Sequence, residues 1–318
     1  AGGKGGMGAV MGSKNLKAIV VRGAKTPQVF DSEGLKESIE RHWTSKITMY
    51  DPRRRTEMYG QFARDLFAGG KEGIKNFREA TFEGFAEKFA AEVQRGEPLF
   101  CRHCPTSCFE SSKVGEVRRT MAGAITMLGA DCFVDDMEAI RTTYHLCNEF
   151  GIDIKSTGPI IAFAMECFEK GLVSKSDLEG IDLTWGNGAG MIAMVKKIGL
   201  REGFGMVLGE GVRRAAEMIG GSASEYAIHI KGLEIPNWDP RSSNYRALGE
   251  ATGNIGADPY NSIGPILRRS AIPELGIYEK DVGEARFVSE GKGQAVANGQ
   301  NFGVLINSLG ICRQALSN

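Results

Sequence analysis

The 318 residues carry 39 basic and 39 acidic side chains, and 42% of them are hydrophobic. This balance leaves no electrostatic footprint for nucleic acid or an anionic membrane surface, and the composition is that of a chain that folds. No run approaches the roughly 18 apolar residues of a spanning helix, and Ala1 to Gly8 lacks a signal-peptide pattern. A cytoplasmic protein without a membrane partner is expected.

In chain order, Gly3-Lys4-Gly5-Gly6-Met7-Gly8 fits the spacing GxGxxG. The dinucleotide fingerprint needs a strand before it and a helix after it. Here the text instead runs on to Lys17-Ala-Ile-Val-Val-Arg22, whose β-branched residues predict a buried strand. Two readings stay open on spacing alone: backbone amides and Lys4 cradling a phosphate or pterin oxygen, or a plain structural loop. From Thr26 to Gly96 the chain is polar and helical in tone, with turn signals at Asp51-Pro52 and Gly69-Gly70.

Seven cysteines are too few and too unevenly spaced for a secreted disulfide scaffold. Three fall in Cys101-Arg-His-Cys104-Pro-Thr-Ser-Cys108, where thiols at these spacings converge on the corners of an iron–sulfur cluster that takes a distant fourth ligand. Zinc is the competing metal, although no second CxxC or histidine pair accompanies the trio. His103 is expected beside the ligands or facing solvent. Cys147 and Cys167 fall on apolar helix faces and read as core, whereas Cys132, after Gly129-Ala-Asp, reads as core or site. Cys312 closes Asn307-Ser-Leu-Gly310-Ile-Cys312, a glycine-containing turn able to offer a backbone contact and a thiolate.

Between Asp135 and Asn148, Met137, Ile140, Tyr144 and Cys147 recur at helical spacing. A second helix is predicted with Thr157 as its cap, Pro159 in its first turn and Gly171 as its left-handed end. Two more are expected over Asn187 to Ile198 and Glu202 to Ile219, closed by Gly199 and Gly220. Consecutive helices on short links argue for a helical domain rather than a βαβ array. The text becomes loop-rich after Gly232, so a boundary is expected near Ile228 to Gly232. The chain opens without Met inside a glycine motif and stops soon after Cys312, and a segment of a longer protein is expected.

Taken in order, GGMGAVMGSKNLKAIVV, CRHCPTSC, GIDIKSTG with AFAMECFEKG, WGN, REGFG with GEGVRRAAE, KGLEIPNWDPR and LGIC resemble the text of aldehyde:ferredoxin oxidoreductases. The resemblance covers essentially the whole chain. It implies the mostly α-helical second and third domains of that fold, preceded by the last strand of a β-rich pterin domain. Residues 1–24 would end the pterin-binding β domain, 25–228 would form helical domain 2 with the cluster loop, and 229–318 part of helical domain 3.

The resemblance also implies a tungsten (or molybdenum) bis-pterin and a 4Fe-4S cluster, with Cys101, Cys104, Cys108 and Cys312 as its ligands. Two pterin motifs are matched by Asn148-Glu-Phe-Gly151-Ile152-Asp153 and Asn307-Ser-Leu-Gly310-Ile311-Cys312, each with asparagine where the family has aspartate. Gly3 and Lys4 match a glycine and an arginine of the pterin loop. The activity implied is oxidation of an aldehyde to a carboxylic acid, with an iron–sulfur protein, ferredoxin or another electron carrier, as acceptor.

The small organic substrate could instead be another carbonyl compound such as an aromatic acyl-CoA, or the chain could be a non-catalytic electron-transfer subunit. A homodimer is the candidate assembly. Gly123 stands where aldehyde-oxidising relatives have glutamate, and Ile255, Pro259 and Asn261 where they have arginine, histidine and lysine. No catalytic acid or base is therefore named, although Glu116 and Asp258 lie close by in sequence. His145 keeps half of an intersubunit metal motif that Thr142 breaks, so no extra metal is expected.

Overall fold

The computed structural model describes residues 5–25, 28–47, 63–64, 67, 72–94, 96–99, 109–112, 122–236, 238–258 and 286–310. The turn signals at Asp51-Pro52 and Gly69-Gly70 lie outside the described residues, as do Glu116, Pro259 and Asn261.

Helices carry the fold: α1 Met7–Ser13, α2 Ser32–Ile47, α3 Phe85–Gln94, α4 Ala122–Ala124, α5 Met137–Phe150, α6 Ile154–Glu169, α7 Gly188–Leu200, α8 Phe204–Leu208, α9 Val212–Ile219, α10 Asn244–Thr252 and α11 Lys292–Ser308. Two small antiparallel pairs accompany them among the described residues. β1 (Gly96–Leu99) pairs with β2 (Phe109–Ser112), and β3 (His229–Ile230) with β4 (Leu233–Glu234).

α6 is the central helix. Every residue from Thr157 to Cys167 is buried, because IIAFAMEC offers no polar stripe to turn toward water. Ile160, Ile161, Phe163 and Met165 pack with Ile140 and Cys147 of α5, Met191, Met194 and Val195 of α7, and Phe85 and Phe89 of α3. Each such side chain contributes about 1.5–3 kcal/mol relative to exposure. The one charged member, Glu166, accepts a hydrogen bond from Asn76 Nδ2 at 2.6 Å and faces Arg78 Nε at 3.4 Å.

The helix over Asp135 to Asn148 forms as expected, capped by Asp136, whose Oδ1 accepts from Glu138 N and Ala139 N. α6 starts earlier than expected, with Asp153 rather than Thr157 as its first capping residue, so Pro159 falls in the second turn. Thr157 sits inside the helix and donates its hydroxyl to Asp153 O at 2.8 Å. The left-handed end at Gly171 is present, φ 71°, with Leu172 N donating to Cys167 O at 2.9 Å.

Gly199 does not close α7. It faces Phe150, whose ring would stand 2.3 Å from a Cβ, and the helix runs on to the left-handed Arg201. The helix expected over Glu202 to Ile219 is two, α8 and α9, broken at Gly209 to Gly211.

At the other end, Gly5 and Gly6 are left-handed and open the short helix α1, where the sequence suggested a loop running toward a strand. Lys17 to Arg22 has no strand partner among the described residues, and Val20 is 90% exposed.

Two backbone irregularities meet beside α6. Ile125–Ala130 is a π-helical turn, and α6 crosses it so closely that a Cβ on Gly158 would lie 2.3 Å from Met127 O. Against its end lies a run of three left-handed residues without glycine, Lys75, Asn76 and Phe77, at φ 52°, 51° and 63°. This conformation costs roughly 1–2 kcal/mol per residue, less for asparagine, so the contacts around it must hold it in place.

Candidate cofactor and cluster site

The described parts of the two motif copies, Asn148–Gly151 and Asn307–Gly310, form the same local turn. Each ends a helix: Gly151 N donates to Asn148 O at 3.2 Å after α5, and Gly310 N donates to Asn307 O at 3.1 Å after α11. The glycines are left-handed, φ 65° and 69°, a conformation in which a Cβ is strained. After the first turn Ile152 N returns to Cys147 O at 2.9 Å, and the chain enters α6 at Asp153.

Asp153 is the residue that sequence reasoning could place but not explain. A capping aspartate ordinarily accepts from the first amides of its helix, yet only the backbone carbonyl of Asp153 does so, taking Ser156 N and Thr157 N. Its side chain makes no capping bond, and Oδ2 is buried without a partner among the described residues. A desolvated acceptor of this kind fits a ligand that brings an N–H. The amide of Asn148 is turned back along α5, Nδ2 donating to Tyr144 O at 2.9 Å.

β1 and β2 bear on the cysteine trio. Leu99 pairs with Phe109, so the chain between them starts and ends about 5 Å apart, and Cys101, Cys104 and Cys108 all fall in that interval. The cysteines themselves, with Cys312, Gly3, Lys4 and Ile311, lie outside the described residues.

α3, which leads into β1, is fastened to α5 by a buried ion pair. Arg141 Nη1 lies 2.8 Å from both oxygens of Glu92, and Nη2 lies 2.7 Å from Glu138. Among the described residues no three His, Cys, Asp or Glu side chains converge as a metal site.

The remaining cysteines are core. Cys132 is fully buried, its thiol directed at Gly158 O at 3.5 Å, and burial beside Asp131 pushes the thiol well above its ordinary range. Burial likewise pushes the thiols of Cys147 and Cys167 up to about 12. None of the three is a ready thiolate. Gly123 in α4 is exposed, and a Cβ there would meet nothing within 4 Å.

A family model described as "Aldehyde ferredoxin oxidoreductase, domains 2 & 3" matches residues 68–317. The chain belongs to the aldehyde ferredoxin oxidoreductase family. It is 33% identical to a tungsten-containing aldehyde ferredoxin oxidoreductase of Pyrococcus furiosus over 98% of this chain and 52% of the relative. It is 30% identical to the WOR-like subunit of an aliphatic sulfonate oxidoreductase from the same organism, over 74% of this chain and 40% of that one.

Among solved structures, the active-site complex BamBC of benzoyl coenzyme A reductase with 1,5-dienoyl-CoA superposes with a TM-score of 0.62. That match has 24% identity and covers 91% of this chain and 47% of the other, which is a likeness of fold. The chain thus spans about half the length of these aldehyde ferredoxin oxidoreductase relatives. The mostly helical architecture expected for domains 2 and 3 of the family is present.

Proposed function

We propose that this chain forms the helical part of a tungstopterin oxidoreductase that passes electrons through a 4Fe-4S cluster to ferredoxin or a similar carrier. The observation that carries the reading is Asp153, whose side chain makes no capping bond and whose buried Oδ2 has no donor among the described residues, beside the first of two similar turns. In this reading Asp153 accepts an N–H of one pterin, and Asn148 and Ile152 line the same turn. Asn307 and Ile311 serve the second turn, while Gly3 and Lys4 approach the anionic end of the cofactor.

Thiolates of Cys101, Cys104, Cys108 and Cys312 hold the cluster, three of them from the interval closed by Leu99 and Phe109. When bound, the tungsten centre supplies two-electron chemistry at the substrate and the cluster relays single electrons. The protein's part is to hold these groups and exclude water. The division into residues 1–24, 25–228 and 229–318 accompanies this proposal, with the β3–β4 hairpin, His229–Glu234, at the second boundary.

The substrate proposed first is an aldehyde, oxidised to its acid. Gly123 and Pro259, which stand where aldehyde-oxidising relatives have glutamate and histidine, favour a second reading, in which the substrate is another carbonyl compound such as an aromatic acyl-CoA. Neither side chain has a group that takes up or releases a proton, so aldehyde hydration would have to draw its base from elsewhere. Full-length protein purified without oxygen and offered benzaldehyde or benzoyl-CoA, with a viologen dye as electron carrier, separates the two. Aldehyde-dependent dye reduction supports the first reading, and thioester-dependent dye oxidation the second. Iron at about four per chain with neither tungsten nor molybdenum would leave the electron-transfer subunit.

A further inference from the structure

The left-handed turn Lys75 to Phe77 is fastened on several sides. Lys75 N donates to Ala130 O at 3.0 Å and Asn76 N to Asp131 O at 3.1 Å, because successive amides of a helical turn point the same way. Asn76 Nδ2 donates to Glu166 Oε2 of α6 and, at 2.9 Å, to Tyr226 O. Phe77 packs instead with Ile235 and Ala257. Its carbonyl accepts from Arg241 Nη2 at 2.6 Å, and Asp239 orients that guanidinium through contacts of 2.7 and 3.0 Å.

Ala257 belongs to a segment that is itself built on the β3–β4 hairpin. Lys231 Nζ donates to Gly253 O at 2.6 Å, and Ala257 N to Ile230 O at 3.4 Å. Gly256, φ 98°, lies so close that a Cβ would stand 2.5 Å from Ile230 O. The segment and the hairpin therefore move together, and Phe77 joins both to the turn that Asn76 ties to α6.

We infer that Asn76 and Phe77 are positioning residues, and that the turn they form sets the place of residues 254–258 against the helical core. Its catalytic meaning rests on the proposed function and on the resemblance, which sets Ile255 where aldehyde-oxidising relatives carry an arginine at the reacting centre. The hold of the turn on the segment does not. The strain of three left-handed residues is thus spent on joining α6 to a segment distant in sequence.

The test is hydrogen exchange read by mass spectrometry on the full-length holoenzyme and its Arg241→Ala variant. The Arg241 side chain is 69% exposed, so its loss removes the cap on Phe77 O without opening the core. Exchange should rise together, by about tenfold, in residues 72–79 and 250–258, with residues 188–200 unchanged. Arg241→Lys, which keeps a donor, should restore most of the protection, and Phe77→Ala should give a larger effect over the same two segments.

A rise confined to 72–79, no rise at all, or a rise spread equally through α6 and α7 would overturn the inference. If Phe77→Ala does not fold, the Arg241 pair decides. With benzaldehyde and a viologen dye, Arg241→Ala should lower kcat several-fold at constant KM. An unchanged kcat would remove the catalytic meaning. A wild-type protein inert toward benzaldehyde would count against the aldehyde reading, and the exchange result would still decide whether the turn holds the segment.

Discussion

Gly151 and Gly310 adopt the same left-handed conformation, and each donates its N–H to the carbonyl of the asparagine that opens its motif, Asn148 at 3.2 Å and Asn307 at 3.1 Å. The helices they end have unrelated sequences, so the turn is the common element. Alanine at either glycine meets a positive φ and should cost about 1 kcal/mol or more. Gly151→Ala and Gly310→Ala should each lower Tm by a few degrees. Gly151→Ala, whose turn carries no assigned cluster ligand, should lose tungsten and retain its iron, which elemental analysis of the purified protein reads directly.

Asp153 gives a sharper separation of fold from cofactor. Truncating an ordinary capping aspartate costs about 0.5–2 kcal/mol. Here no capping bond is lost, so Asp153→Ala should change stability in urea by no more than about 0.5 kcal/mol while reducing pterin and tungsten retention. A large loss of stability with full cofactor content would mean that the carboxylate serves the helix after all.

Asp131 predicts a pH dependence. Burial, reinforced by the nearby Glu72 carboxylate, raises it well above the ordinary aspartate value of 3.8, and neither of its oxygens has a hydrogen-bond partner among the described residues. The folded state therefore favours the protonated acid. The associated stability is complete below the unfolded value and falls as pH rises toward the folded one. Asp131→Asn should match wild type near pH 4 and be the more stable of the two at neutral and alkaline pH. Urea unfolding across that range checks it, and parallel curves would contradict it.

The buried pair Arg141–Glu92 predicts non-additivity. Arg141→Met leaves Glu92 buried without its cation and should cost about 3–5 kcal/mol. Combining it with Glu92→Leu should recover most of that loss. Because α3 leads into β1, the single variant should also hold iron less well than the double. Unfolding free energies and iron content together test both points.

The legible parts of the sequence were those governed by local rules. The periodicity of Met137, Ile140, Tyr144 and Cys147 marked α5, and Gly171 marked the end of α6. The start of α6 was misplaced because Thr157 reads as a cap from its type alone, whereas the backbone carbonyl of Asp153 is what receives the first amides. Gly199 misled for a different reason: its absent side chain makes room for Phe150 and has no role in ending a helix. The π-helical turn over ITMLGA and the left-handed run at Lys75, Asn76 and Phe77 carry no local signature, since tertiary hydrogen bonds hold them. At the candidate site, the asparagine–glycine turns were legible through resemblance. The idle carboxylate of Asp153 was not, because it is a matter of which neighbours are missing.

The most direct test is elemental and spectroscopic analysis of anaerobically purified full-length protein. About one tungsten and about four iron atoms per chain are expected, with the broad visible absorbance of an iron–sulfur cluster that bleaches on reduction. Zinc in place of iron, or iron with neither tungsten nor molybdenum, would contradict the proposed function.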